Sequence, residues 1–240
     1  MRTLKFIALS ILTLFASQMV SSQTADEIVG KYIDAIGGKD VISKINSMYT
    51  EGALDVMGGT GTYKQTILAG KGAKDEIDVQ GTSVIMCVTD SAGWSINPMT
   101  GNYNAEYMPP EQYKASKDEI YIGGPFTDFA NRGYKLELTG QETIGAMNTN
   151  KIIVTSPDSL AIQYFFDTET GYLVQMIQTS NIGGQAMDIT YGYSDFRKTD
   201  AGIVIPFKIE TNFGGQFFLT ETVTKVDINQ PVDPAIFVKP

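Results

Sequence analysis

The sequence contains no histidine, and this absence excludes several kinds of active site. Without an imidazole side chain there is no Ser-His-Asp or Cys-His arrangement, no histidine metal ligand and no histidine proton shuttle. The motifs G-x-S-x-G and S-x-x-K and the EF-hand loop are also missing. We therefore predict that the protein is not an enzyme and has no catalytic residues, no metal site and no cofactor.

Cysteine is nearly absent too, since Cys87 is the only one in the chain. A single cysteine cannot form an intramolecular disulfide, even in an oxidising compartment. Cys87 lies inside the apolar run SVIMCV, where a lone cysteine acts as a small apolar side chain. We predict that it is a core residue on a strand.

Positive charge is scarce relative to negative charge. The chain has 18 Lys and Arg residues against 27 Asp and Glu, which gives a formal net charge of −9. Such an acidic protein gains nothing from bulk electrostatics at phosphate backbones or anionic membrane surfaces. The sequence therefore predicts no nucleic acid partner.

The most hydrophobic run, FIALSILTLF at residues 6–15, is too short to span a bilayer. Arg2 and Lys5 precede it and small and polar residues follow it, which is typical of a secretory signal peptide. Val20 and Ser22 suit cleavage before Gln23, where no cysteine is available to carry a lipid anchor. We predict a signal peptide at residues 1–22, no transmembrane segment in the mature chain, and a periplasmic location, with a secreted form as the alternative.

The mature chain begins with a helical pattern. Thr24 and Glu27 fit a capping box, in which each side chain accepts a hydrogen bond from the other residue's backbone amide. The apolar residues that follow share one helix face, and they are Ile28, Tyr32, Ile33 and Ile36. Gly37 and Gly38 then end the helix, and a short second helix is predicted over residues 39–45.

From Asn46 onward the apolar period changes to two, which predicts short strands separated by glycine-rich turns. The predicted strands are residues 48–57, 60–69, 74–79, 82–89, 93–97, 134–138, 147–155, 161–167, 171–178, 185–193, 203–211 and 216–226. A Pro-rich helical segment at residues 108–122 interrupts them, and residues 125–133 predict one more helical turn. No linker or repeat divides the pattern, so residues 23–240 are predicted to form one domain around a meandering antiparallel sheet.

Several strands are apolar on both faces. Residues 83–88 form a continuous apolar run, and Tyr172, Val174 and Met176 alternate with Leu173 and Ile177, which are also apolar. In a sheet with one face in water, apolar and polar residues alternate more regularly along each strand. Here both faces are therefore covered, or one of them lines a cavity. A plain core beneath the helices and an apolar cavity both remain open on this evidence.

The order of these features resembles the LolA/LolB-like superfamily, especially the Bacteroidetes-type outer membrane lipoprotein-sorting proteins. The resemblance rests on the helix ending in IGG, the Pro-rich interruption, and the phrases DTETGYLVQM, ITYGYSDFRKTDAGIVIPFKI and NQPVDPAIFVKP. It implies a mainly β (α+β) fold, in which one curved antiparallel sheet of about eleven strands forms a half-barrel with helices over its concave face. It also implies a hydrophobic cavity that holds lipoprotein acyl chains or another lipid, for binding or transfer.

We predict a set of cavity-lining, ligand-binding residues on this basis. On the strands they are Met48, Leu54, Val84, Met86, Trp94, Met176, Met187, Ile189 and Tyr191. On the covering helix they are Ile28, Tyr32 and Ile36. The charged stretch from Asp195 to Asp200 is predicted to be a solvated turn beside these strands.

The sequence departs from the superfamily in one respect and leaves two other functions open. Lipoprotein carriers of this kind hold the helical lid closed with an arginine on an early strand, whereas residues 48–57 contain no basic residue. The first alternative is a non-catalytic envelope sensor or scaffold domain that binds a partner protein. The second is a carboxylate hydrolase based on the acidic cluster Glu111, Asp118 and Glu119.

Overall fold

The computed structural model describes residues 23–182 and 184–240 of the chain. The predicted signal peptide at residues 1–22 lies outside the described residues. Within them the architecture is mainly β, with a single antiparallel sheet of thirteen strands and a few short helices.

The N-terminal helix α1 spans Ala25–Ala35 and starts at the predicted capping box. The Thr24 hydroxyl accepts a hydrogen bond from the Glu27 amide, and the Glu27 carboxylate accepts one from the Thr24 amide at 2.8 Å. Gly37 has φ +127° and leads into the short helix α2, Lys39–Ile42. One face of α1 is buried, and full burial of each of its large aliphatic side chains is worth roughly 1.5–3 kcal/mol.

Six strands follow in a continuous meander, in which each strand pairs with the next. They are β1 Ser47–Val56, β2 Gly59–Leu68, β3 Gly72–Val79, β4 Thr82–Thr89, β5 Gly93–Asn97 and β6 Asn102–Tyr107. After β6 the chain forms helix α3, Pro110–Ser116, and 3-10 turns at Lys117–Ile120 and Gly124–Phe126. We call residues 108–134 the crossover segment.

A second meander completes the sheet. Its strands are β7 Lys135–Ile144, β8 Met147–Thr155, β9 Ala161–Asp167, β10 Leu173–Ile182, β11 Gln185–Lys198, β12 Val204–Phe213 and β13 Phe217–Ile228. The strand order is β6-β5-β4-β3-β2-β1-β13-β12-β11-β10-β9-β8-β7. The first and last strands therefore pair in the middle of the sheet, and β6 and β7 form its opposite edges. Because consecutive strands β6 and β7 lie at opposite edges, the crossover segment has to traverse the sheet.

The count of about eleven strands that the resemblance implied is wrong, because the sheet has thirteen, of which the apolar pattern predicted twelve. The sequence pattern missed β6, whose side chains are exposed or only half-buried. This edge strand contains Asn102 and Asn104, which have low β-propensity, and it has no buried face to impose a period of two. The prediction of a single open antiparallel sheet is confirmed.

The sheet has an inner face, which carries α1 and the crossover segment, and an outer face on the other side. The main core lies between the inner face and these helical elements, and Ile120, Phe126, Ile152 and Phe166 are almost completely buried there. A smaller cluster of Cys87, Trp94 and Phe237 is separate from it. Cys87 is buried as predicted, and Phe237 belongs to a C-terminal 3-10 turn, Pro234–Phe237.

Candidate functional site

A cavity of about 490 Å³ lies between the inner face of the sheet and the helical elements. Its floor is formed by strands β1–β3 and β9–β13 with Met86 of β4, and its roof by the crossover segment and the end of α1. This position follows from the topology, because the crossover segment spans the sheet while its short helical turns fill the space beneath it only in part. The volume lies within the 300–1,000 Å³ range of ligand pockets.

Half of the twelve predicted lining residues contribute to the cavity wall. These residues are Tyr32, Ile36, Met48, Met86, Met176 and Tyr191. They come from α1 and from strands on both sides of the β1–β13 pair, so the structure brings together residues that are far apart in sequence. Their role in ligand binding stays a prediction.

Five other predicted residues lie near the cavity but do not line it. Ile28 is 2% exposed on the face of α1 that packs into the core. The other four occupy strand positions whose side chains face the inner side of the sheet, but they lie further along their strands than the cavity extends. They are Leu54, Val84, Met187 and Ile189. The apolar pattern shows which face of the sheet a side chain is on, but not whether its place along the strand coincides with the cavity.

The prediction that Trp94 lines the cavity is wrong. Trp94 pairs with Cys87, the neighbour of the cavity-lining Met86, so its side chain points to the outer face. There its indole Nε1 donates a hydrogen bond to the Phe237 carbonyl at 2.9 Å. The sequence pattern could not reveal this, because residues 83–88 are apolar on both faces.

The strand after the charged turn contributes more to the cavity than predicted. Ile203, Ile205 and Ile209 all line the cavity. Their alternate positions in the sequence already indicated that their side chains share one face of the sheet. Asp195 and Arg197 form an exposed ion pair, and the Arg197 guanidinium lies 4.5 Å from the centre of the Phe207 ring. The charged stretch is therefore solvated, although β11 extends through Lys198 and the turn begins only afterwards.

A polar cluster holds the crossover segment together. Arg132 forms an ion pair with Asp118, and its Nη1 donates hydrogen bonds to the Gly124 carbonyl at 3.2 Å and the Thr127 carbonyl at 3.4 Å. Tyr134 donates to Asp118 as well, and the Arg132 guanidinium stacks 3.6 Å from the centre of the Tyr121 ring. An arginine thus stabilises the helical roof, but it comes from the crossover segment rather than from an early strand.

Two carboxyl groups meet inside the cavity, one from the floor and one from the roof. Asp75 of β3 and Glu119 of the crossover segment are hydrogen-bonded to each other through their side chains. The Gln65 amide also donates to Asp75 at 2.9 Å. Burial raises the pKa of Asp75 to about 6. Enclosure by the cavity walls, together with the Asp75 charge, raises the pKa of Glu119 well above its usual range.

A third carboxyl group, that of Glu221 on β13, lines the same cavity. Burial, together with the Asp75 charge, raises the pKa of Glu221 to about 7. The adjacent Tyr191 is affected by both Glu119 and Glu221, and mainly burial raises its pKa to about 12. The sequence pattern does not single out Asp75 or Glu221, because each occupies one position in an otherwise ordinary polar alternation.

The hydroxyl of Tyr63 is the unusual polar atom of this region. Tyr63 is 6% exposed and lines the cavity, and its hydroxyl has no hydrogen-bond partner among the described residues. Its ring lies over Gly52 of β1, where an added Cβ would be 2.8 Å from Tyr63 Cε1. The ring therefore extends from β2 across β1 towards β13, within electrostatic range of Glu221.

The acidic cluster named in the sequence analysis does not converge. Glu111 is exposed and pairs with Lys114, Asp118 in the cavity wall pairs with Arg132, and Glu119 pairs with Asp75 inside the cavity. Across residues 23–182 and 184–240, no three His, Cys, Asp or Glu side chains are placed to hold a metal ion. In the same ranges no helix is long and apolar enough to cross a membrane.

No family model and no curated protein matches the sequence. Solved structures, however, share its fold. A LolA superfamily protein from Nitrosomonas europaea matches with a TM-score of 0.61 and 14% identity, over 91% of this chain and 99% of the other. A DUF1329 family protein from Desulfovibrio piger matches with a TM-score of 0.59 and 12% identity, over 90% and 98% of the two chains.

A third similar structure, from Vibrio parahaemolyticus, is a domain named for outer membrane lipoprotein sorting. It matches with a TM-score of 0.58 and 9% identity, over 89% of this chain and 97% of the other. At these identities the similarity concerns the fold and not the activity. The resemblance predicted from the sequence is confirmed at this level: the chain has the fold of LolA superfamily structures.

Proposed function

We propose that the protein is a periplasmic lipid-binding protein that holds the acyl chains of lipoproteins or other lipids in its cavity and transfers them. The observation that supports this function best is the cavity itself, about 490 Å³ in volume and walled largely by aliphatic, methionine and aromatic side chains. The signal peptide predicted at residues 1–22 supports the periplasmic location.

The energetics of acyl-chain burial suit this cavity. Each buried methylene is worth about 0.8 kcal/mol, so roughly fifteen of them contribute on the order of 12 kcal/mol before ordering costs. Methionine side chains adapt to ligands of different shape, and Met48, Met86 and Met176 lie on three different strands of the wall. A carrier needs no reactive group for this function.

Native mass spectrometry of the mature protein, purified from its own envelope without detergent, is the direct test. We expect a stoichiometric acylated species that is released on denaturation. Met176→Trp should narrow the cavity and weaken uptake of the neutral fluorescent probe N-phenyl-1-naphthylamine. Met99→Trp is the matched control, because Met99 is 61% exposed and does not line the cavity. An empty protein that also fails to take up the probe would contradict the proposal.

A second candidate function, binding of an envelope partner protein, is favoured by a separate observation. Met57, Phe217 and Phe218 are exposed by 66%, 38% and 49% at two adjacent hairpin ends, whose strands pair through Val56 and Leu219. Exposed apolar side chains that cluster in this way are typical of interaction surfaces. A photo-crosslinking residue at position 218 should then capture one defined partner in the intact envelope, whereas one at the exposed Glu137 should not.

A further inference from the structure

The proposed function leaves one part of the cavity unexplained. An acyl chain requires apolar walls, yet Asp75, Glu119 and Glu221 all face the same space. Burying carboxyl groups beside a purely apolar ligand costs free energy, because nothing replaces the water that solvates them. The polar end of the cavity therefore needs a polar ligand group to match it.

The unpartnered Tyr63 hydroxyl independently indicates that this end of the cavity can accept a polar ligand group. Buried hydroxyl groups almost always have a hydrogen-bond partner. The ring of Tyr63 is fixed across Gly52, so its hydroxyl cannot reach bulk water without moving the wall. A ligand group that donates hydrogen bonds near Glu221 would satisfy the lone pairs of the Tyr63 oxygen.

Positive charge from the protein does not balance these carboxyl groups. Lys64 is the lysine that contributes to the described wall, and its register beside Glu51 and Glu76 places its side chain on the outer face. Asp118, also in the wall, is already paired with Arg132. The charge at this end of the cavity is thus negative whenever the buried carboxyl groups ionise.

We propose that the acidic end of the cavity, formed by Asp75, Glu119, Glu221 and Tyr63, binds a primary ammonium group on an amphiphile whose alkyl chain fills the apolar part. This inference rests on the proposed function and names the chemical class of its ligand. An ammonium group supplies three hydrogen-bond donors and one positive charge. The carboxyl groups and the Tyr63 oxygen can accept those hydrogen bonds, whereas a fatty acid carboxylate at the same place would add a further negative charge.

Binding of an ammonium group should be coupled to proton release. The titratable groups facing this position are Asp75 from β3, Glu119 from the roof, Glu221 from β13, and Tyr63 and Tyr191 from β2 and β11. The tyrosines stay neutral below about pH 10, so the carboxyl groups determine the pH dependence. Near neutral pH the free cavity retains protons on some of these carboxyl groups, and the cation displaces one of them. Affinity for the cation should then rise with pH, by up to about tenfold per unit, until the carboxyl groups of the free protein are ionised.

The test compares three ten-carbon ligands of matched chain length: decylamine, decanol and decanoate. Each is titrated by displacement of N-phenyl-1-naphthylamine from the full mature chain at about pH 5.5 and 8. We expect decylamine to bind about tenfold more tightly than decanol at the higher pH and to lose this preference at the lower one. Decanoate should show the opposite trend. Calorimetry in buffers of different ionisation enthalpy should detect about one proton released per decylamine bound.

Conservative variants locate the site. Glu119→Gln combined with Glu221→Gln should abolish the preference for decylamine over decanol. Glu111→Gln is the matched control, since Glu111 lies in the same segment but is exposed and paired with Lys114. Decanol binding also verifies that the double variant is folded with an intact cavity.

The outcomes separate this inference from the proposed function. Equal affinities for decanol and decylamine at both pH values would overturn the ammonium site and leave the lipid-binding function intact. A preference for decylamine that survives in the double variant would also overturn it, because the cation would bind elsewhere. If none of the three ligands binds, the proposed function fails, and the ammonium site fails with it.

Discussion

The carboxyl group of Asp75 on strand β3 is hydrogen-bonded to the carboxyl group of Glu119, which comes from the opposite wall of the cavity. Two carboxyl groups can share a hydrogen bond only while one of them keeps its proton. This contact therefore links the roof of the cavity to its floor in a manner that depends on pH. Glu221 adds a third group with the same tendency.

The first prediction is that the protein becomes less stable as the pH rises from about 5 to 8. The pKa values of Asp75 and Glu221, about 6 and about 7, exceed the ordinary values of 3.8 and 4.5. Between these limits the folded protein holds more protons than the unfolded chain, so raising the pH favours unfolding. We expect a loss on the order of a few kcal/mol in the free energy of unfolding. Urea denaturation at the two pH values measures it.

Variants identify the groups responsible for that loss. Asp75→Asn and Glu221→Gln should each flatten the pH dependence. Asp158 and Asp195 have lowered pKa values because of their partners Lys117 and Arg197, and they affect stability only at more acidic pH. Stability that increases from pH 5 to 8 would show that the cavity carboxyl groups are not responsible.

The second prediction concerns the cohesion of the cavity roof. Arg132→Ala removes the ion pair with Asp118 and the hydrogen bonds to the Gly124 and Thr127 carbonyls. Because this pair is partly buried, we expect a loss of roughly 1–3 kcal/mol in the free energy of unfolding. Hydrogen exchange should accelerate selectively in the crossover segment. Arg197→Ala is the control, since its pair with Asp195 is exposed and its loss should change the free energy of unfolding far less.

The third prediction contrasts two glycines. At Gly52 an added Cβ would lie 2.0 Å from the Thr222 carbonyl oxygen and 2.8 Å from Tyr63 Cε1, so Gly52→Ala should cost about 2 kcal/mol or more. At Gly30, in helix α1, an added Cβ meets nothing within 4 Å. Gly30→Ala should therefore stabilise the protein by about 0.5–1 kcal/mol through helix propensity. Thermal denaturation distinguishes the two, and equal effects would contradict the close packing at Gly52.

The fourth prediction uses the single tryptophan. Trp94 lies on the outer face, against Phe237, so ligand uptake should leave its emission maximum unchanged. Phe237→Ala should shift the emission to longer wavelength and cost roughly 3 kcal/mol, because it empties a buried site. Val238→Ala is the control, as Val238 is 68% exposed. A ligand-induced shift in the wild-type protein would place Trp94 close to the cavity.

The sequence predicted the sheet well because its strands alternate and end at glycine-rich turns. It also located the capping box at Thr24 and Glu27, which is a local interaction. It failed at β6, an exposed edge strand without an apolar face, and at Trp94, whose run is apolar on both sides. Local periodicity shows whether a segment is a helix or a strand. It does not show which side of a strand faces the cavity roof when both sides are apolar.

The convergence of the cavity carboxyl groups could not be predicted from the sequence, for a different reason. Asp75 and Glu119 are far apart in the chain and meet only because the crossover segment folds back over β3. Tyr63 acquires its significance from Gly52, a residue on the neighbouring strand. Such relationships depend on the register of the whole sheet, which no short motif encodes.

The pairing of the first strand with the last also affects how the chain folds. Each meander is assembled from hairpins between strands that are neighbours in sequence. The β1–β13 pairing that joins the two meanders, however, brings Met48 opposite Ile228. This one closure spans nearly the whole mature chain and should limit the folding rate. A chain synthesised from the N-terminus leaves the edge of β1 open until its final strand arrives. A chain truncated before β13 would expose the edges of β1 and β12 in addition to those of β6 and β7 and would tend to aggregate, so β13 governs the solubility of both halves of the sheet.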